Sequence, residues 1–352
     1  MQILFNKGER MGVSALARRY CIDALGAMAK GLFCSLIIGV ILTQFFLLTG
    51  LAQFPFAQAI MDITSPRSAV VGAAIAAAIA LALKAPPLVL FSAIAAGAIG
   101  YSASAQGIPA GPLGAYIATV LGVEAGRLVS GRTKLDILAV PAVVIISGAV
   151  AGSFAGPPIA AFMTSLGALV NGMTALNPLP MGVAVSALMG LTLTGPISSA
   201  AIAIMLGLSG LAGAAATAGG SAHMVGFAVA SYRENRLEGL LSQGLGTSML
   251  QIPNIMRYPL ILVPAVAASL VTGPLATVVF QMQNSPLGAG MGTSALIGPI
   301  TTWITMKEST AAFPLLAQIA LVYFVAPAVI ALAVSEGMRK RGWIQSGQMK
   351  LR

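Results

Sequence analysis

The stretch Leu32-Phe33-Cys34-Ser35-Leu36-Ile37-Ile38-Gly39-Val40-Ile41-Leu42-Thr43-Gln44-Phe45-Phe46-Leu47-Leu48-Thr49-Gly50-Leu51 carries no charged side chain. At 1.5 Å rise per residue, about 20 such residues match the ~30 Å hydrocarbon core of a bilayer, so the stretch predicts a membrane-spanning helix. It follows a basic segment as a signal peptide would, and Ala57-Gln58-Ala59 resembles a cleavage site. The apolar run starts too late, however, and exceeds the roughly 7–15 residues of a signal h-region, so a retained first helix is expected.

The rest of the chain has the same character. Of its 352 residues 57% are apolar and 8% charged, against about 25% charged in an ordinary soluble domain. So few charges cannot cover the outside of a soluble protein of this size. Disorder is excluded by the hydrophobicity, and a collagen-like chain by 40 glycines without a three-residue period. Apolar runs at about 32–51, 68–83, 86–104, 112–128, 136–155, 157–175, 258–281 and 312–334, with a broken pair at 180–216 and a short run at 219–231, predict an all-α polytopic membrane protein. About ten crossings are expected, with re-entrant or broken pieces among them. Lys84-Ala85-Pro86-Pro87 reads as a sharp turn between helices, because Pro cannot continue the preceding one.

The 19 Lys and Arg against 9 Asp and Glu give a net charge of +10. The basic residues cluster at Lys7 to Lys30, at Arg127, Arg132 and Lys134, at Arg233, Arg236 and Arg257, and at Arg339 to Arg352. By the positive-inside rule all four regions, and both termini, are expected on the cytoplasmic side. No soluble basic domain with interleaved aromatics accompanies them, so nucleic acid is not an expected partner. Residues 10–30 place Val13, Leu16, Ala17, Tyr20, Cys21, Ala24, Leu25 and Met28 on one arc and Arg18, Arg19, Asp23 and Lys30 on the other. This pattern predicts an interfacial amphipathic helix or, alternatively, a helix packed on the rest of the protein. Cys21 and Cys34 read as small apolar packers, not as a disulfide. No linker marks a second domain. The expected organisation is one membrane domain over 1–352, with a cytoplasmic segment 1–31, a membrane core 32–335 and a cytoplasmic tail 336–352.

Val140-Pro141-Ala142-Val143, Gly156-Pro157-Pro158 and Asn177-Pro178-Leu179-Pro180 recur in order as Val263-Pro264-Ala265-Val266, Gly273-Pro274-Leu275 and Asn284-Ser285-Pro286-Leu287. Such a repeat suggests the two-halves construction of secondary transporters, in which interrupted helices meet near the midplane. Non-helical backbone at membrane depth persists only where protein or a wet cavity surrounds it. Four polar, Gly/Pro-broken stretches therefore carry the functional interest: Asn171 to Ser199, Gly219 to Gly226, Gln243 to Asn254 and Gln281 to Ser294. Their amides and hydroxyls, with backbone groups freed at the breaks, can replace the hydration shell of a sugar-like solute.

The solute-contacting candidates are Asn177, His223, Thr247, Gln251, Asn254, Asn284, Thr293 and Glu124. His223 is the sole histidine and either bonds a solute hydroxyl, carries a proton, or sits near the interface. Glu124 either pairs with Arg127 at a helix end or serves as a solute-binding carboxylate. For single Ser and Thr residues the alternative is close helix packing through small polar side chains. One His and no Cys cluster give no zinc ligand set, and no P-loop or Ser-His-acid set can be assembled, so no metal, cofactor or catalytic group is expected.

Several stretches together resemble a known family. Met181-Gly182, Leu193-Thr194-Gly195-Pro196-Ile197-Ser198-Ser199-Ala200, Met224-Val225-Gly226-Phe227-Ala228-Val229, Gly244 to Asn254 and Gly288 to Ser294 look like the phosphotransferase-system EIIC-like membrane proteins, which include the perfringolysin regulator-like proteins of bacteria. Gly31-Leu32-Phe33 with Ser35 to Gly39, and Thr133-Lys134 with Asp136-Ile137, extend the likeness over nearly the whole chain. The resemblance implies a bacterial inner-membrane sugar permease, homodimeric, with the solute between a transport part and a dimerisation part and with a separate IIB phosphocarrier as partner. The chain departs from glucose-type IIC subunits in lacking the Gly-Ile-Thr-Glu signature, and Gly246 to Asn254 is its nearest counterpart by position. The alternative to a permease working by alternating access is a membrane sensor that binds solute without transporting it.

Overall fold

The computed structural model describes residues 15–16, 18–105, 108–133 and 135–351. Lys7, residues 10–14 and Ala17 of the expected amphipathic helix, and Lys134 and Arg352 of the basic clusters, lie outside the described residues. The described residues are mainly helical, and their named strands are a two-residue antiparallel ribbon, β1 (Ser104–Ala105) with β2 (Ile108–Pro109). The chain divides into two compact units, Met1–Phe162 and Met163–Arg352. Among the described residues, four helical stretches are long and apolar enough to cross a membrane, and three shorter apolar helices accompany them.

In the first unit, α1 (Arg18–Thr49) runs without interruption through the expected junction at Gly31-Leu32. Ala24, Ala27, Met28 and Leu32 are buried on α1, at the three- and four-residue spacing of one helix face. A short helix α2 (Pro55–Ile63) leads to α3 (Ala69–Ala82), α4 (Pro87–Ser102) and α5 (Gly111–Val129). Helix α3 packs on α1, α4 and α5, and buries Val71, Ile75 and Ile79 along one face. Ser68 caps α3 by accepting the Val70 N–H, and Pro87 opens α4 where its missing N–H costs nothing. Between them Lys84 takes a positive φ of 56°, completing the expected sharp turn. Cys21 and Cys34 are free and lie on the surface of α1, where a small side chain is accommodated without being required for packing. Outward-facing Leu81, Phe91, Ile137, Phe154 and Phe313 give both units an apolar exterior suited to lipid.

Two segments read above as separate crossings, 136–155 and 157–175, form one helical element, α6 (Asp136–Thr174), with Pro141, Pro157 and Pro158 inside it. A proline within a helix removes one hydrogen bond and bends the axis, but in a membrane-embedded helix neighbouring groups compensate. The division between the two units falls within α6.

The second unit contains α7 (Pro178–Thr194), α8 (Ser199–Met205), α9 (Gly210–Ala230), α10 (Tyr232–Leu241), α11 (Pro259–Val279), α12 (Ile297–Met306) and α13 (Ala312–Lys340). Helix α9 is its axis: α7, α11 and α13 all pack against it. From Ala212 to Phe227 nearly every residue of α9 is small, and all of them are buried. That composition explains the arrangement, because small side chains let helices approach on every side where bulky ones would hold them apart. At the closest point, Ser186 of α7 donates its hydroxyl to the Ser269 carbonyl of α11 at 2.7 Å. A Cβ on Gly219 would overlap the Ser186 backbone, and one on Gly273 would overlap the Gly182 carbonyl and the Ser186 side chain. Gly219→Ala is therefore expected to lower stability by about 1–3 kcal/mol, an overpacking cost, read as a fall in melting temperature in detergent relative to Gly172→Ala, where a Cβ meets nothing.

Candidate functional site

The polar elements of the second unit converge where the backbone is least regular. After α10 the chain makes a wide turn over Ser242–Gly246, becomes extended at Thr247, and then makes a tight turn over Ser248–Gln251 and a single helical turn over Ile252–Ile255. After α11 a second break runs from Gln281 to Leu296, with left-handed φ values at Gln281 (46°), Gly292 (54°), Ala295 (46°) and Leu296 (59°). Three of those four are not glycine, and strain of this kind persists only where surrounding structure fixes it. The two breaks share a pattern: Gly244-Leu245-Gly246-Thr247-Ser248 with Pro253, and Gly290-Met291-Gly292-Thr293-Ser294 with Pro299. They also touch, since the Thr293 hydroxyl donates to the Gly244 carbonyl at 2.6 Å. Thr247, 5% exposed, accepts the Met249 N–H at 3.2 Å and holds the first break in its turn.

A line of polar groups leads from the first break into the helical core. The Ser248 Oγ lies 2.9 Å from Thr194 Oγ1 at the end of α7, and Thr194 Oγ1 lies 2.7 Å from His223 Nδ1 in the middle of α9. All three side chains are buried. Either Ser248 and Thr194 donate towards the ring, leaving Nε2–H as a donor, or the order is reversed and Nε2 is an acceptor. In both cases Nε2 has one unused hydrogen-bonding function. It is buried without a partner, and so is the Ser294 hydroxyl at the second break. Buried polar groups are almost always paired, so these two orphans, one on α9 and one on the second break, are candidate points for receiving a polar partner. Gly190 makes room for the imidazole: a Cβ there would lie 2.5 Å from His223 Cδ2.

The other sequence candidates are placed differently. Asn284 spends its amide inside the fold, with Nδ2 donating to Thr217 Oγ1 at 2.7 Å and to the Gly298 carbonyl at 3.1 Å, while Oδ1 accepts the Ser285 N–H at 2.8 Å. Gln251 donates to Gln243 Oε1 at 2.8 Å and to the Met349 carbonyl at 2.9 Å, and Asn254 donates to Gln251 Oε1 at 2.7 Å and to the Lys350 carbonyl at 3.1 Å. Asn177 is exposed at the start of α7. It lies 17 positions before Thr194 on the same helix, so roughly 25 Å away along the axis at 1.5 Å per residue. Glu124 belongs to the first unit, where its Oε1 receives Arg19 at 2.6 Å and Arg127 at 3.4 Å; Arg127 also donates to the Leu83 carbonyl. The pairing with Arg127 expected from the spacing is present, and Arg19, distant in sequence, adds to it. Thr194, Ser248 and Ser294 lie in the polar stretches singled out above but were not among the candidate residues; the shared Gly-x-Gly-Thr-Ser pattern of the two breaks is the signal that could have found the serines.

A family model described as Phosphotransferase system, EIIC matches residues 22–351. The chain belongs to that family. No curated protein and no solved structure matches it. As an EIIC-family protein it is a membrane-embedded transporter of the phosphotransferase-system permease type, and both breaks lie within the matched residues. Replacing Thr194 with Val removes the bridge between the EIIC protein's first break and its central helix at nearly constant volume. Leaving Ser248 and His223 Nδ1 unpaired is expected to cost about 1–3 kcal/mol, seen as a lower melting temperature, while Thr174→Val on the exposed end of α6 changes nothing measurable.

Proposed function

We propose that this EIIC protein is a bacterial inner-membrane permease that moves a sugar or similar polyhydroxylated solute by alternating access, with His223, Thr194, Ser248 and Ser294 as the side chains facing the solute. The buried, unpartnered His223 Nε2 at the end of the Ser248–Thr194–His223 line carries the reading. A sugar hydroxyl both donates and accepts, so it fits Nε2 in either tautomer and the Ser294 hydroxyl in either orientation. Thr247 and Thr293 hold the two breaks in shape, and Asn284, Gln251 and Asn254 position them. Asn177 and Glu124 fall outside the solute-facing set.

Hydrogen bonds to neutral donors and acceptors bind the solute without burying a net charge, which keeps desolvation modest and release feasible. The broken segments are the elements able to change the exposure of such a site, because their backbone is not locked into continuous helical ladders. Chemistry on the solute belongs to a partner, a IIB phosphocarrier at the cytoplasmic side, the side to which the positive-inside rule assigns the basic clusters and both termini. The functional unit is a homodimer.

The test is uptake of a panel of labelled sugars into proteoliposomes. Saturable uptake of at least one is expected, with kcat/KM reduced roughly tenfold or more by His223→Ala and by Ser294→Ala, the loss of one to two hydrogen bonds, and unchanged by Asn177→Ala. Ser294→Ala removes an unpaired hydroxyl, so its melting temperature should stay equal or rise while uptake falls. Full uptake by both His223→Ala and Ser294→Ala overturns the assignment.

A further inference from the structure

After α13 the chain turns back and the segment Ile344–Leu351 lies on a surface made by α10, the first break and the base of α9 and α13. The recognition is of backbone, group by group. Glu234 accepts the N–H of Gly347 at 3.0 Å and of Met349 at 2.9 Å. Asn235 Oδ1 accepts the Leu351 N–H at 2.8 Å, and Asn235 Nδ2 donates to the Met349 carbonyl at 2.9 Å. Gln251 donates to that same carbonyl, and Asn254 donates to the carbonyl of Lys350. Arg339 fixes the Glu234 carboxylate with two contacts of 3.1 Å, and the side chains of this pair are 11% and 5% exposed.

Two side chains are read as well, Ile344 at 2% exposure and Met349. Met349 is completely buried among Phe227, Ala230, Ile261, Ala265 and Met338. Gly347 has a φ of 88°, a conformation other residues take at a cost, while Lys350 points outward. The surface therefore matches a turned peptide with Gly at one position and Met two residues later, through the Met349 socket and a row of backbone contacts. Next to it Arg236 is held at φ 51°, ψ −146°, so the element carrying Glu234 and Asn235 is itself strained.

We infer that Glu234, Asn235, Gln251, Asn254 and the Met349 socket form a peptide-binding groove, occupied in cis by Gly347-Gln348-Met349-Lys350-Leu351, and that this occupant latches the first break. Gln251 and Asn254 reach the peptide with one hand and each other with the other, and Gln251 also meets Gln243, which donates to Ser231 Oγ and the Gly239 carbonyl at 2.9 Å. Departure of the segment takes one acceptor from Gln251 and one from Asn254 and uncovers them, three to six residues from Ser248. The break then loosens, and Ser248 is no longer fixed against Thr194. The coupling to transport rests on the solute reading proposed above; the groove itself does not.

The experiment compares hydrogen–deuterium exchange of the full chain in lipid nanodiscs with that of Met349→Asp, which puts a carboxylate into the apolar socket near Glu234. Exchange over residues 243–254 is expected to rise roughly tenfold or more, as for loss of one to two buried hydrogen bonds. A synthetic peptide of residues 343–351 added in trans restores protection saturably, and the same peptide carrying Met349→Asp does not. Asn235→Ala, which leaves the socket intact, is the second variant and should show a smaller rise that the peptide also reverses. Unchanged exchange at 243–254 while 344–351 becomes exposed overturns the latch, and absence of rescue by the peptide overturns the groove. No solute enters these measurements, so they are decided independently of uptake. Uptake that falls in Met349→Asp and returns with peptide supports the coupling to the site, whereas uptake indifferent to release overturns it.

Discussion

The second unit depends on the complete burial of α9. A helix surrounded on all sides cannot hydrogen-bond to water, so each polar group on it must find a partner in a neighbouring element. Thr217 and Ser221 turn back to carbonyls one turn earlier in α9, at 2.8 and 2.7 Å. Thr217 in addition receives Asn284, and His223 takes Thr194. These obligations draw the two broken segments and the end of α7 onto the same helix. The convergence of polar groups is thus a consequence of packing, which leaves His223 Nε2 and the Ser294 hydroxyl unpaired.

Much of the fold could be read from the sequence because lipid imposes a single demand, apolar length, that composition reports directly. The shorter apolar runs at 68–83, 86–104 and 112–128 became α3, α4 and α5 almost residue for residue, and the break after α7 falls at the expected Gly195-Pro196. Prolines misled where they sit inside a helix: Pro157-Pro158 signalled an end between two crossings, yet α6 continues through them. The short run 219–231 was under-read for a related reason. Its glycines and alanines suggested interruption, whereas next to α7 and α11 they permit a fully packed 21-residue helix.

The site was legible as regions, less so as residues. The stretches 219–226, 243–254 and 281–294 do come together, and His223 lies at their meeting point. Amides beside proline were a poorer guide, because Asn and Gln suit a sugar hydroxyl and a peptide carbonyl equally well. Gln251 and Asn254 meet carbonyls about a hundred positions later in the chain, a pairing that no local pattern announces. Glu124 shows the same limit: its i+3 partner was visible, and Arg19, from the other end of the unit's sequence, was not.

The contact at Ser186 bears on how such a molecule can move. There α7 meets α9 backbone to backbone and α11 with only the short Ser186 side chain at the contact, too little to absorb sliding. Surfaces seated that closely must separate before they can shear, and separation would expose polar main chain to hydrocarbon. The three helices are accordingly geared together as an axle. In the permease reading proposed above, the excursion that carries cargo is therefore assigned to the unwound segments around that axle, its own helices turning as one piece.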